Sequence, residues 1–205
     1  MRVAIIGGTG SFGRALAEKL HQLGEDVVIG SRDASRAREL ATVIGVEGAA
    51  NEDAVRGADL VVLAVRSNAA LETARRLAPA LGTTPVLSVA SDLTFTDNGV
   101  LPGRQTHSLA EHIARIVDGP VAAGLQALPA AHLTRAEPPE EDALICGDDP
   151  RAKEPSLELA ARIVAGRAID AGPLANARAL EGMTAVILNV NRRYKVRAGI
   201  RLVGL

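Results

Sequence analysis

Five short aliphatic runs, at 3–6, 27–29, 60–65, 85–89 and 121–125, punctuate the first part of the chain, and most are apolar at every position. Strands buried on both faces of a parallel sheet read this way, whereas strands with one wet face alternate. Between the runs, apolar residues recur at helical spacing over 11–23, 33–44, 51–57, 68–81 and 107–117. Strand and helix in alternation predict an α/β fold, a doubly wound and mostly parallel sheet with right-handed crossovers. The polar stretch 91–105 contains Asn98-Gly99 and Pro102-Gly103 and reads as a loop, and the charged stretch 134–142 as a second.

Beyond this the pattern shortens. A strand is expected at 142–146. Asp149-Pro150 has the form of an N-cap followed by proline at N1. A helix at 151–165, a short strand near 168–170 and a long apolar helix over about 174–191 complete the chain. The pattern divides the protein into a nucleotide-binding domain at 1–145 and a small αβα extension at 146–205 that closes the cleft. The last helix carries a wider apolar stripe than so small an extension can cover, which predicts a homodimer built partly on it.

Composition narrows the picture. Hydrophobic residues make up 47% of the 205 positions, enough to exclude disorder. Aromatics are 1%, so the core is aliphatic and an aromatic cage for a flat ligand is not expected. The formal net charge of −1 does not point to nucleic acid. The lone Cys146 excludes an internal disulfide and a cysteine-rich zinc site, and His21, His107, His112 and His132 show no metal spacing. No uninterrupted apolar run reaches the roughly 18 residues of a membrane span, so a soluble cytoplasmic protein is expected.

The chemistry begins where the first run meets Gly7-Gly8-Thr9-Gly10-Ser11-Phe12-Gly13. Gly8, Gly10 and Gly13 match G-x-G-x-x-G between a strand and a helix, the turn of a Rossmann dinucleotide site. The first glycine allows a tight turn, the second lets backbone approach the pyrophosphate, and the third lets helix and strand pack closely. The helix N-terminus adds unpaired N–H groups and a partial positive charge. The second strand then ends Ser31-Arg32, with Arg36 four residues on, where NAD-binding chains place a carboxylate for the ribose hydroxyl. Guanidiniums pair with a 2′-phosphate that a carboxylate would repel, which favours NADP(H). Asp33 lies past the strand and is read as the cap of the next helix.

Several blocks together resemble the NADPH:coenzyme F420 oxidoreductases: MRVAIIGGTGSFGRALAEKL, DVVIGSRD, LPAAHL, ICGDDPRA, DAGPLANARALEGMTAVILNVNRRYK and AGIRLVGL. The resemblance runs from end to end. It implies hydride transfer between NADP(H) and the deazaflavin coenzyme F420, with no acid–base triad. It places NADP contacts at Gly8, Thr9, Gly10, Ser11, Phe12, Ser31, Arg32, Arg36, Ser67, Leu71 and Ala130. It implies a ring site walled by Ala130, Ala131, Ala171 and Gly172. Arg192, Arg193, Lys195, Arg197 and Arg201 are candidates for the coenzyme's anionic tail. The chain departs from the family pattern at Arg66-Ser67, at Asp92 after the fifth strand, and at Gln126, which opens the choice of acceptor; direct hydride transfer implies no catalytic residue, and Ala130, Gln126 and Arg66 are the cleft candidates. A reductase of a flavin, an imine or a biosynthetic intermediate, and a non-catalytic NADP(H)-binding protein, stay open at this point.

Overall fold

Each aliphatic run of the first 125 residues lies in a strand of one sheet in the computed structural model, which describes residues 1–205. In chain order the elements are β1 (Arg2–Ile6), α1 (Ser11–Gln22), β2 (Asp26–Ser31), α2 (Ala34–Ile44), β3 (Glu47–Ala50), α3 (Asn51–Ala54), β4 (Leu60–Leu63), α4 (Ser67–Leu81), β5 (Val86–Ser88), β6 (Leu93–Thr96), β7 (Gly99–Pro102), α5 (Leu109–Ala114), β8 (Val121–Gly124), α6 (Ala130–Leu133), β9 (Ala143–Gly147), α7 (Pro150–Ile163), β10 (Ala168–Asp170) and α8 (Ala177–Tyr194). A 3-10 turn at Leu174–Asn176 leads into α8.

The sheet order is β10-β9-β8-β5-β4-β1-β2-β3. Pairing is parallel throughout except between β8 and β9. The inner strands are buried along their length, as their unbroken apolar character requires: β1 from Val3 to Ile6, β4 from Leu60 to Leu63 and β8 from Val121 to Gly124. Two aliphatic cores lie on the two faces. Leu16, Leu20, Ile29 and Leu159 anchor one beneath α1, α2 and α7. Ile6, Leu63, Leu77, Ile113 and Leu180 anchor the other beneath α4, α5 and α8. No helix is long and apolar enough to cross a membrane.

Three expectations change. The division at 145/146 falls inside β9, and β9 and β10 continue the main sheet, so the C-terminal segment completes one edge of it. The stretch 91–105 holds the hairpin β6–β7, with Phe95 opposite Val100 and Thr96 opposite Gly99. Its polar composition hides a two-residue turn, Asp97-Asn98, followed by Gly99 at φ +139°. The strand β3 is absent from the sequence reading because Glu47-Gly48-Ala49-Ala50 lacks branched residues. Gly48 belongs there because a Cβ would sit 2.5 Å from the Ala37 carbonyl of α2. The caps are as expected: Asp33 accepts from the N–H of Ser35 and Arg36, and Asp149 from that of Arg151, ahead of Pro150.

Candidate functional site

A doubly wound sheet binds ligands outside the C-terminal ends of its strands, where the order reverses. Here that point lies between β1 and β4, and the glycine turn sits on it. Gly7 carries the left-handed φ of +85°, and a Cβ on it would lie 2.6 Å from the Ala64 carbonyl. The tight turn is therefore made by Gly7 rather than by Gly8, whose own missing Cβ makes room for Ile29. Gly13 would place a Cβ 2.6 Å from the Gly7 carbonyl and 2.8 Å from the Gly8 Cα, so its role in close packing is as the motif implies. Gly10 is exposed and its nearest obstacle is 3.3 Å away, leaving backbone open to a ligand. Gly10 also caps α1 without any side-chain bond, so the first-turn N–H groups at Ser11 and Phe12 are free for an anion. Thr9 and Phe12 flank the turn, half-buried.

At the end of β2, Arg32 and Arg36 are exposed and neither makes an ion pair within the chain. The Ser31 hydroxyl accepts from the Asp33 N–H, which leaves its own proton to donate. Asp33 is committed to capping α2, its carboxyl held below the usual range first by the Ser35 hydroxyl and then by the Arg36 N–H. The Asp33 carboxylate is thus occupied, while the two guanidiniums are not.

The third wall is formed at the ends of β4, β5 and β8. Exposed Arg66 is the N-cap of α4, followed by half-buried Ser67 and, one turn on, Leu71. Leu125 holds a left-handed φ of 67°, uncommon for a branched residue, and Gln126 follows it. Gln126 donates from Nε2 to the Ser88 carbonyl at 3.2 Å, and its buried Oε1 has no partner in the chain. Thr184 of α8 donates to the Gln126 carbonyl and meets the Ser91 hydroxyl at 2.9 Å. Ala130 opens α6, half-buried beside α1.

Some residues fall elsewhere. Ala171 and Gly172 do not wall this cleft. The β9–β10 pair runs opposite to the other strands, so the chain after β10 meets Gly147, which stands opposite Ala122 near the start of β8, and Gly147 donates to the Gly172 carbonyl. His132 is buried and bonded to Glu141. Cys146 is fully buried, and desolvation pushes its thiol up to about 12. Arg192, Arg193, Lys195 and Arg197 are exposed about the end of α8, and Arg201 approaches Glu140 at 3.7 Å. Glu181 points its carboxylate at the backbone of two other segments rather than at a cation on its own helix. No sequence pattern marks that role, because its partners are main-chain N–H groups 71 to 89 residues away.

Comparison with known proteins adds the family. Residues 2–92 match the family model described as NADP oxidoreductase coenzyme F420-dependent. The F420-dependent NADP reductase of Methanothermobacter thermautotrophicus is 36% identical, over all of this chain and 96% of its own length. Its counterpart in Methanothermobacter marburgensis is 34% identical over all of this chain and 99% of its own length. A solved protein from Arthrobacter sp. FB24 superposes with a TM-score of 0.84 over the full length of both chains at 24% identity, which shows the shared fold. With that degree of identity across its whole length, the chain belongs to the F420-dependent NADP reductases.

Proposed function

We propose that the chain transfers a hydride between NADP(H) and the deazaflavin coenzyme F420, the activity for which its relatives are named. The observation that carries the NADP half is the β2 corner, where Arg32 and Arg36 are unpaired and Asp33 is spent on a cap. When bound, the nicotinamide and deazaflavin rings supply the redox chemistry, a hydride passing between C4 of one and C5 of the other.

The chain's own residues bind and align. The free N–H groups of α1 and the exposed backbone of Gly10 take the pyrophosphate. Ser31, Arg32 and Arg36 take the 2′-phosphate. Ser67, Leu71 and Ala130 line the path toward the ring, with Arg66 and Gln126 at its mouth. The unpartnered Oε1 of Gln126 is an acceptor already positioned for an amide donor. Holding two rings in register is worth about 7–11 kcal/mol of barrier, which accounts for the lack of any acid–base triad among these residues. The basic cluster from Arg192 to Arg201 is suited to an anionic tail.

A second copy of the chain would cover α8. Val186 is 61% exposed, with Met183, Ile187, Leu188 and Val190 half-buried beside it, and Phe95 and Leu101 stand exposed on the hairpin that α8 braces. A cytoplasmic location follows from the need for both soluble coenzymes.

An acceptor panel tests the reading. NADPH and oxidised F420 should lose the deazaflavin's long-wavelength absorbance in the presence of the protein, and flavin mononucleotide or a cyclic imine should not substitute. Turnover of an imine with no effect on F420 would assign the cleft to the other reductase class.

A further inference from the structure

Glu181 is 3% exposed, lines a cavity with Asp92, His107 and Arg178, and forms no ion pair. Its oxygens accept from three backbone N–H groups instead. Oε2 takes Asp92 at 3.4 Å and Leu109 at 3.2 Å, and Oε1 takes Ala110 at 3.2 Å. Asp92 belongs to the loop after β5, and Leu109 and Ala110 open α5. Three residues along α8, Thr184 reaches Ser91 and the Gln126 carbonyl. One turn of α8 thus ties together the β5 loop, the β8 loop and the start of α5. The first two of these are walls of the cleft.

Resting on the function proposed above, we propose that Glu181 is a positioning residue for the hydride transfer: its ionised carboxylate clamps the β5–β6 loop and the start of α5 to α8, and the clamp holds the cleft wall against which the two rings align.

Three converging N–H groups suit the ionised form best. A carboxylate presents only acceptors. An amide would turn a donor toward one side of the clamp and break it, and a protonated carboxyl would keep a full acceptor on one oxygen only and so loosen it. Burial opposes ionisation, and with the charge of Asp92 it raises the Glu181 carboxyl to about 7 although three N–H bonds pull it down. The other titratable groups around it are His107 and Glu111 before and within α5, which pair with each other at 3.0 Å, Arg178 one turn back on α8, and Cys146 of β9. The clamp therefore engages as pH rises through neutrality.

The test compares the wild type with Glu181→Gln and Asp92→Asn. In the wild type, kcat should fall on the acid side of about pH 7 while the dissociation constant for NADPH, set by the distant β2 corner, stays level. Glu181→Gln should lower kcat about tenfold at pH 8, consistent with the sensitivity of aligned reactants to sub-ångström displacement. It should also lose the acid limb and leave NADPH affinity unchanged. Asp92→Asn removes a neighbouring negative charge and should move the limb to lower pH, so it decides the matter even if Glu181→Gln fails to fold.

Melting of the protein without coenzymes is an independent readout. The melting temperature of the wild type relative to Glu181→Gln should fall as pH rises from about 4.5 to 7, because over that range unfolding of the wild type alone releases a proton at this position. An acid limb retained in Glu181→Gln, a limb unmoved in Asp92→Asn, or a melting difference independent of pH would each overturn the clamp. A wild type inert toward F420 overturns the functional reading along with it, whereas an active wild type matched by Glu181→Gln overturns the clamp alone.

Discussion

At the scale of single residues, the proposed cofactor specificity rests on what is left unpaired. Arg32 and Arg36 were legible in the sequence because a missing carboxylate at the end of β2 is a local feature, and the structure adds that Asp33 is already bonded to Ser35 and Arg36. Arg32→Ala should weaken NADPH by about 2 kcal/mol, roughly 30-fold, by removing a charge-assisted phosphate contact. NADH, lacking that phosphate, should bind as before. Titration of both coenzymes by fluorescence checks this, and an equal loss for both would remove the phosphate role. Glu181 was not legible. A glutamate on a helix reads as a partner for a neighbouring cation, and only the packing of α8 against the β5 loop and α5 brings it to main-chain donors. Gln126 was legible as a departure from the family pattern, but the lack of a partner for its Oε1 depends on burial that no sequence displays.

At the scale of elements, the parallel strands were readable because strands buried on both faces are apolar at every position. β3 and the β6–β7 hairpin were not. One is a short Glu-Gly-Ala-Ala run under α2, and the other lies in a turn-rich stretch and leaves Phe95 and Leu101 exposed. The direction of β9 was equally hidden: a strand's own residues do not state whether it runs with or against its neighbour, and that direction is what carries Ala171 and Gly172 away from the cleft. The junction of β1 and α1 allows a sharp prediction. In Gly13→Ala the new methyl meets backbone at 2.6 and 2.8 Å, and neither atom belongs to a flexible side chain. A loss of about 1–3 kcal/mol in stability is expected, with NADPH affinity reduced at least tenfold as α1 shifts from the turn. Thermal melting and coenzyme titration would show it, and unchanged values in both would mean the turn tolerates the methyl.

A second element-scale prediction concerns the chain after α8. Asp142, fully buried at the head of β9, accepts from Arg167 and from the Leu202 N–H, and the Asp142 N–H bonds the Ile200 carbonyl. Gly199 is needed there because a Cβ would run into Glu141. Asp142→Asn leaves Arg167 without its charge partner and should destabilise the fold, by less than a fully buried pair would because the Arg167 side chain is 36% exposed. Denaturant melts would register it as a shifted midpoint, and an unshifted midpoint would show that the pair contributes nothing net.

At the scale of the whole molecule, two buried carboxylates oppose each other in pH. Arg167 holds the Asp142 carboxyl well below the usual carboxylate range, so its stabilisation is present above about pH 4 and is lost as pH falls further. Glu181 is displaced the other way, from 4.5 to about 7, so its contribution is full below about 4.5 and is lost as pH rises through 7. Maximum thermal stability should therefore lie on the acid side of neutrality, while the clamp requires the less stable, ionised state. A melting maximum at or above pH 8 would contradict this ordering. Assembly belongs to the same scale. The dimer proposed on the exposed α8 face predicts that the wild type sediments as a dimer and Val186→Glu, which puts a charge at the centre of that face, as a monomer. Identical sedimentation of the two would place any interface elsewhere.

The central claim is that one cleft aligns two flat coenzymes and lets a hydride pass directly between them. NADPH carrying deuterium at the transferable C4 position, mixed with oxidised F420 and the purified protein, tests it most directly. Mass spectrometry of the reduced coenzyme should find that deuterium retained in the deazaflavin. Reduced deazaflavin without the label, or labelled NADPH consumed while F420 stays oxidised, would contradict the account.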